Sequence, residues 1–387
     1  MNSKPELIIF SQNLMGGGSS FHRNMLANMP DDFFDIKCIY LDPLHWVAAR
    51  TTDLVLKKND IIFAFDSEPE YKTAKNLHQH ISNKKGAIVA NLPQELQSLN
   101  YFWKPNKTVY FICHDAGFLY LCKKYDYLID IFIAHNYQVY QDIIKLLPHR
   151  EKEVYFIQHG VTVQNFEKPK NLVHNLNIVF LARHVKIKGI YDLPKIDDHL
   201  KKQGIDVNWT ILGDGEERIN FIENVKDRNN FSFKIPNTSE EIICILKNQD
   251  VYVLPSSHDG LPVSMLEAMS VGCVPIVYNF SEGIKKVVTS EIGAVLELED
   301  YIGISEFIKK LHLDRNLLSS MSTNCIKKIN REFDIKKQAN EYFKLYKKYK
   351  TLKNRKLSLQ KIENRYPNSR LINFILRVIK KINRVLS

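Results

Sequence analysis

Short apolar runs rich in Val, Ile, Leu and Phe recur along the chain, separated by longer segments with helical periodicity. In the first part they fall at 7–11, 36–40, 61–65, 87–90, 109–113, 131–134 and 154–157. After a polar stretch around 167–175 they resume at 178–181, 209–212, 231–235, 251–254, 274–278 and 294–296. Helical patterns lie between them, at 216–225, 240–247, 264–271 and 304–311, and a last one covers 334–350 with no strand after it. Near-continuous apolar strands alternating with amphipathic helices predict parallel sheets covered on both faces. Two such series predict an α/β chain of two Rossmann-like, doubly wound domains. The division reads as 1–168 for an amino-terminal domain and 169–335 for a second domain. Residues 336–352 read as a closing helix returning to the first domain, and 353–387 as a tail of separate character. Ligands of such sheets bind at the carboxyl ends of strands, so the loops there are where chemistry is sought.

Composition changes this picture little. A length of 387 residues suits two cores, and 44% hydrophobic with 25% charged residues is ordinary for globular proteins. The opening MNSKPELIIFSQNL has no apolar run behind a basic cap, and no stretch approaches the ~20 apolar residues that span a bilayer. A cytoplasmic location, or one on a membrane's inner surface, is therefore expected. Cys38, Cys113, Cys122, Cys244, Cys273 and Cys325 form no CxxC pair, and most have apolar neighbours, so they read as buried reduced thiols.

Charge changes it more. The formal net charge of +11 hints at nucleic acid until it is located. From Lys344 to Ser387 there are fourteen Lys or Arg against one acid, Glu363, so the basic excess belongs to the tail and the body is close to neutral. No nucleic-acid partner is expected, because the tail lacks a recognisable reading module.

Four strand-end loops carry candidate chemistry. The first strand runs into Leu14-Met15-Gly16-Gly17-Gly18-Ser19-Ser20 ahead of a helix from Phe21. Glycines with a helix amino terminus behind them suit a phosphate, and equally a flexible turn. The second domain's first strand leads into Arg183-His184-Val185-Lys186-Ile187-Lys188-Gly189, where Arg183 and Lys188 can neutralise a departing diphosphate or form a solvated basic loop. Gly213-Asp214-Gly215 reads as a tight turn between strand and helix. The most informative segment is Pro255-Ser256-Ser257-His258-Asp259-Gly260-Leu261-Pro262-Val263-Ser264-Met265-Leu266-Glu267. Its Gly260–Val263 loop can offer amide N–H groups to phosphate or sugar oxygens. Glu267, in apolar company on a helix, suits a pair of ribose hydroxyls, with a capping or surface glutamate as the plainer reading.

In order and spacing these segments resemble the retaining GT-B glycosyltransferases of family 4, the glycosyl transferases group 1. The family pattern EGxPxxxLEAMAxGxPVI is matched by Asp259-Gly260-Leu261-Pro262 and Leu266-Glu267-Ala268-Met269-Ser270-Val271-Gly272-Cys273-Val274-Pro275-Ile276. Its GRxxxxKG element is matched by Ala182-Arg183 and Lys188-Gly189, its GxG turn by Gly213-Asp214-Gly215, its linker by Gln158-His159-Gly160-Val161 and its first loop by Gly16-Gly17. The resemblance implies that Glu267 holds the ribose, Arg183 and Lys188 the diphosphate, and Asp259 with Gly260, Leu261, Pro262 and Val263 the transferred sugar. Gly16 and Gly17 would approach the distal phosphate, Gly213 would line the donor site, and His114 would lie beside the donor sugar unless it is a core or turn histidine. Two departures stand out: Asp259 replaces the family's first glutamate, and Lys234-Ile235-Pro236-Asn237 replaces a glycine where the base is usually recognised.

The implied activity is transfer of a sugar from a nucleotide-diphosphate-sugar to a glycan or lipid-linked acceptor, in lipopolysaccharide, capsule or another bacterial surface polysaccharide. No cofactor is expected. No metal is expected either, since no Asp-x-Asp is present to hold one. A nucleotide-sugar 2-epimerase of similar fold and a non-catalytic partner subunit are the alternatives. The tail, 353–387, ends in an amphipathic helix pattern with Arg377, Lys380, Lys381 and Arg384 on one side. It suits an anionic membrane surface, or packing onto the body or a partner.

Overall fold

The structure, a computed structural model, describes residues 4–13, 17–30, 32–44, 54–102, 106–166, 168 and 175–352. Gly16 and the tail 353–387 lie outside the described residues. Seven strands form the first sheet: β1 (Glu6–Gln12), β2 (Asp35–Pro43), β3 (Ile61–Phe65), β4 (Gly86–Ala90), β5 (Lys107–Cys113), β6 (Ile131–Ala134) and β7 (Val154–Phe156). Six form the second: β8 (Leu176–Leu181), β9 (Val207–Leu212), β10 (Phe231–Lys234), β11 (Val251–Leu254), β12 (Val274–Tyr278) and β13 (Ala294–Leu296). The orders are β3-β2-β1-β4-β5-β6-β7 and β10-β9-β8-β11-β12-β13, with parallel pairing throughout. Each order reverses once, between β1 and β4 and between β8 and β11, and each reversal opens a crevice at the strands' carboxyl ends.

The two-faced burial explains why the strands read as unbroken apolar runs. Every residue of β4, β5, β6, β11 and β12 is buried. Side chains alternate between faces, so Ile8, Phe10 and Ile88 join one core of the first domain while Leu7, Ile9 and Ala87 join another. Buried charge is handled by pairing. Lys107 at the start of β5 bonds Glu6 at the start of β1, and Ser82 Oγ donates to the same Glu6 Oε2 at 2.5 Å. Helix Gly17–Asn28 begins four residues earlier than the sequence pattern indicates. Its first-turn N–H groups need no partner inside the helix, so the glycine–serine stretch can serve as an amino terminus.

The chain crosses between domains twice, and the crossings run side by side. Val161 and Asp334 form an isolated parallel bridge. Val161 N–H donates to Phe333 O at 2.8 Å, and Ile335 N–H to Val161 O at 3.0 Å. A Cβ on Gly160 would lie 2.6 Å from Ile335 Cα, so only glycine allows this approach. Helix Ile335–Lys347 then covers one face of the first sheet, placing Ile335, Ala339, Tyr342 and Tyr346 in that domain's core. Tyr342 Oη donates to Ile157 O at 3.0 Å and Tyr110 Oη to Leu345 O at 3.1 Å.

Candidate active site

The loops after β8 and β11 are built against each other. Gly189 adopts φ +72°, and a Cβ there would lie 1.8 Å from Pro255 O. A left-handed glycine is thus what lets the β8 loop rest on the β11 loop. Ser257 N–H donates to Ile187 O at 3.0 Å, and Ser256 Oγ lies 3.1 Å from Ile187 O and 2.8 Å from His258 O. On this frame Lys188 Nζ donates to Asp259 Oδ2 at 2.5 Å. Arg183, on the same β8 loop, is exposed and its guanidinium has no hydrogen-bond partner among the described residues. Gly213 follows β9 and accepts a 3.3 Å hydrogen bond from Arg218 Nη1 at its carbonyl.

Helix Val263–Ser270 starts directly after Leu261 and Pro262, and Leu261, Pro262 and Val263 are all buried. Its first-turn N–H groups complete the end of the β11 loop. Glu267 is half-buried on this helix. Burial pushes its carboxyl up to about 7, while Arg23 from helix Gly17–Asn28 of the opposite domain pulls it down. A carboxylate in that position gains from hydrogen-bond donors brought by a ligand.

The facing wall is close. A Cβ on Gly260 would lie 3.2 Å from Asn136 Nδ2 and 3.3 Å from His114 O, so the β11 loop reaches the ends of β5 and β6. Lys286 Nζ lies over the Tyr137 ring, 3.0 Å from its centroid, and adds a second contact between domains. Lys188, Asp259 and Gly260 therefore meet the backbone at His114, while Arg183 and Gly213 sit at neighbouring strand ends. Gly17 heads the helix that carries Arg23.

Around His114 the structure gathers groups that sequence reasoning missed. His114 follows β5, His135 follows β6 and His159 comes three residues after β7, and one ligand-capable atom from each lies within 4.8 Å of the others. Their separations of 21 and 24 residues match no metal-binding motif, so spacing alone predicts no metal site. The visible signal is a histidine at the end of three successive strands. The rings of His135 and His159 are 3.5 Å apart at their centroids, and His22 on the first helix lies 5.5 Å from His114. Burial lowers His22 to about 3 and His114 to about 4, and holds His135 and His159 well below the usual imidazole range, so all four rings are neutral.

Residues 163–328, which include Arg183, Lys188, Gly213, Asp259 and Glu267, match the family model described as glycosyl transferases group 1. The chain is 26% identical over 191 residues to the capsular polysaccharide biosynthesis glycosyltransferase CapM of Staphylococcus aureus, covering 45% of this chain and 49% of that protein. It is 36% identical over 143 residues to the UDP-Gal:alpha-D-GlcNAc-diphosphoundecaprenol alpha-1,3-galactosyltransferase of Escherichia coli, covering 36% of each. These matches span less than half of either relative. Among solved structures, Anabaena HepE in complex with UDP and glucose superposes with a TM-score of 0.69 at 14% identity, over 88% of this chain and 99% of that one. S. aureus TarM superposes with a TM-score of 0.62 at 17% identity, over 71% of this chain and 58% of that one. The chain thus has the GT-B fold, two Rossmann-like domains facing a central cleft.

Proposed function

We propose that this chain is a retaining glycosyltransferase of the family-4 type that moves a sugar from a nucleotide-diphosphate-sugar to a glycan or lipid-linked acceptor in bacterial surface polysaccharide synthesis. The observation that carries the reading is the joined pair Lys188–Asp259 at the β8/β11 reversal, with Glu267 eight positions further on. The relatives named above act, by their names, in capsule synthesis and on a diphosphoundecaprenol-linked sugar, which supports an acceptor of that class. HepE was solved with UDP and glucose, which supports a nucleotide-sugar donor.

In this reading Glu267 accepts hydrogen bonds from the ribose hydroxyls. Arg183, Lys188 and the amides of Gly260–Val263 meet the diphosphate, so no divalent cation is needed on it. Asp259, already tied to Lys188, is set to accept from hydroxyls of the transferred sugar. The bond between the anomeric carbon and the diphosphate oxygen breaks while the acceptor oxygen bonds the same face of that carbon. The acceptor's proton passes to the departing phosphate oxygen, and no side chain is assigned as base. Closure of Gly260 against His114 and Asn136 excludes water that would hydrolyse the donor. The tail, 353–387, serves in this reading as the contact with an anionic membrane surface, and the protein works on the inner face of that membrane.

The test is a thermal-shift screen of nucleotide-sugars against wild type and Glu267→Ala, followed by incubation of the stabilising donor with and without acceptor. A donor that stabilises wild type more than the variant, and whose sugar is transferred only when acceptor is present, supports the proposal. Absence of any such donor overturns it, and isomerised donor without acceptor replaces it with an epimerase.

A further inference from the structure

We propose that His114, His135 and His159 form a binding site for one nitrogen-seeking divalent ion of the zinc, cobalt or nickel class, set in the first domain's wall of the cleft. The site lies at the carboxyl ends of β5, β6 and β7, three adjacent parallel strands, so the sheet itself brings residues from distant parts of the chain to one place. Imidazole ligands sit about 2.0–2.1 Å from such an ion, which separates neighbouring nitrogens in a tetrahedral set by roughly 3.3 Å. The three histidines meet within 4.8 Å, so closing the set takes an approach of roughly 1.5 Å between ring nitrogens and a re-tilting of the His135 and His159 rings, which now lie 31° from parallel.

Hydrogen bonding around the rings leaves their nitrogens available. His135 Nε2 lies 3.1 Å from His114 O and is a donor there, which leaves the Nδ1 lone pair unused. His135 Nδ1 and His159 Nδ1 are both buried without a hydrogen-bond partner. Buried polar atoms left in that state are costly, and an ion supplies what the protein does not. Asn91 orients the third ring. Its Nδ2 donates to Phe10 O at 2.7 Å, so its Oδ1 faces His114 Nε2 at 3.3 Å and makes that nitrogen the N–H. Histidine ligands held through their second nitrogen by a carbonyl are the usual outer shell of transition-metal sites.

The ligand chemistry sets the class of ion. Three neutral imidazoles with no carboxylate suit zinc, cobalt or nickel and do not suit magnesium or calcium, which take oxygen ligands. Three protein ligands leave a fourth position for a water molecule. This inference does not rest on the identity of the donor, and neither does its test.

Full-length protein stripped with a chelator would be titrated with Co(II), followed by visible absorption, bound-metal analysis and competition with Zn(II). The expected result is one ion per chain, with absorption typical of a nitrogen-ligated tetrahedral site that Zn(II) removes. His135→Gln and His159→Gln should each weaken binding at least ~10-fold, and Asn91→Ala by about 10- to 100-fold as an outer-shell change. Zn(II) should also raise the melting temperature of the wild type. Less than one bound ion per chain in the wild type overturns the proposal, as does equal affinity in the folded histidine variants. If those variants do not fold, the wild-type stoichiometry and its zinc-dependent melting decide.

Discussion

Lys188 Nζ and Asp259 Oδ2 lie 2.5 Å apart and join the loop after β8 to the loop after β11 where the strand order reverses. Both side chains are largely shielded, at 15% and 20% exposure, so the pair is neither a solvated surface bridge nor a sealed core one. An arriving diphosphate would share the ammonium with Asp259. Lys188→Ala should lower kcat/KM by about 100-fold or more, the scale for removing one fixed charge donor from a transition state. The exchange Lys188→Asp with Asp259→Lys separates the roles. It should recover melting temperature relative to Lys188→Ala while activity stays low, and recovered turnover would show the pair to be structural only.

Glu267 gives a pH signature to ligand binding. Its carboxyl is raised to about 7 by burial, so around neutral pH it is partly protonated in the free protein. Ribose hydroxyls donate to the ionised form, so nucleotide affinity should rise as pH goes from 6 to 8. Titration calorimetry at several pH values checks this, with Glu267→Gln as the flat control. That variant should bind about 10- to 100-fold more weakly at pH 8, the worth of a charge-assisted hydrogen bond.

Glu95 should govern stability over a different range. It is buried, accepts from Leu92 N–H at 2.9 Å, and burial raises its carboxyl to about 8 from an ordinary 4.5. Between those values the folded state holds a proton that the unfolded chain releases, so stability falls as pH rises through that window. The four neutral histidines pull the other way below pH 7, because the unfolded chain takes up protons that they refuse. The Glu95 share is therefore read as a difference: the melting temperature of Glu95→Gln should gain on that of wild type from pH 5 to pH 8. A variant as pH-dependent as wild type would remove Glu95 as the cause.

Lys107 and Glu6 form the pair whose breakage should be most costly. Their side chains are 0% and 8% exposed, so Lys107→Met leaves a buried carboxylate with Ser82 as its remaining named donor. Loss of one partner in such a setting costs about 3–5 kcal/mol. Urea unfolding should show that loss, and adding Glu6→Leu should restore much of it. A double variant no better than the single one would locate the stability in other contacts of these residues.

The sequence made the architecture readable because strands buried on both faces leave nearly unbroken apolar runs, as at 109–113 and 251–254. The β8 and β11 loops were readable because their residues are close in sequence to the strands that hold them. The contact of Lys188 with Asp259 spans 71 residues and was not, since each side chain taken alone suits a ligand. Arg23 opposite Glu267 and the grouping of His135 and His159 with His114 were hidden for the same reason. They depend on sheet order and on how the domains face each other, and neither leaves a local pattern.

The bridge between Val161 and Asp334 has a mechanical consequence. Two backbone segments bonded side by side behave as a strap, which bends across its width more easily than its plies can slide past each other. Helix Ile335–Lys347, anchored beyond the strap on the first sheet, must travel with that domain. The two domains are therefore not divided at a point along the chain: the first carries both ends of the described sequence, and the second is joined to it by a doubled strap rather than a single linker.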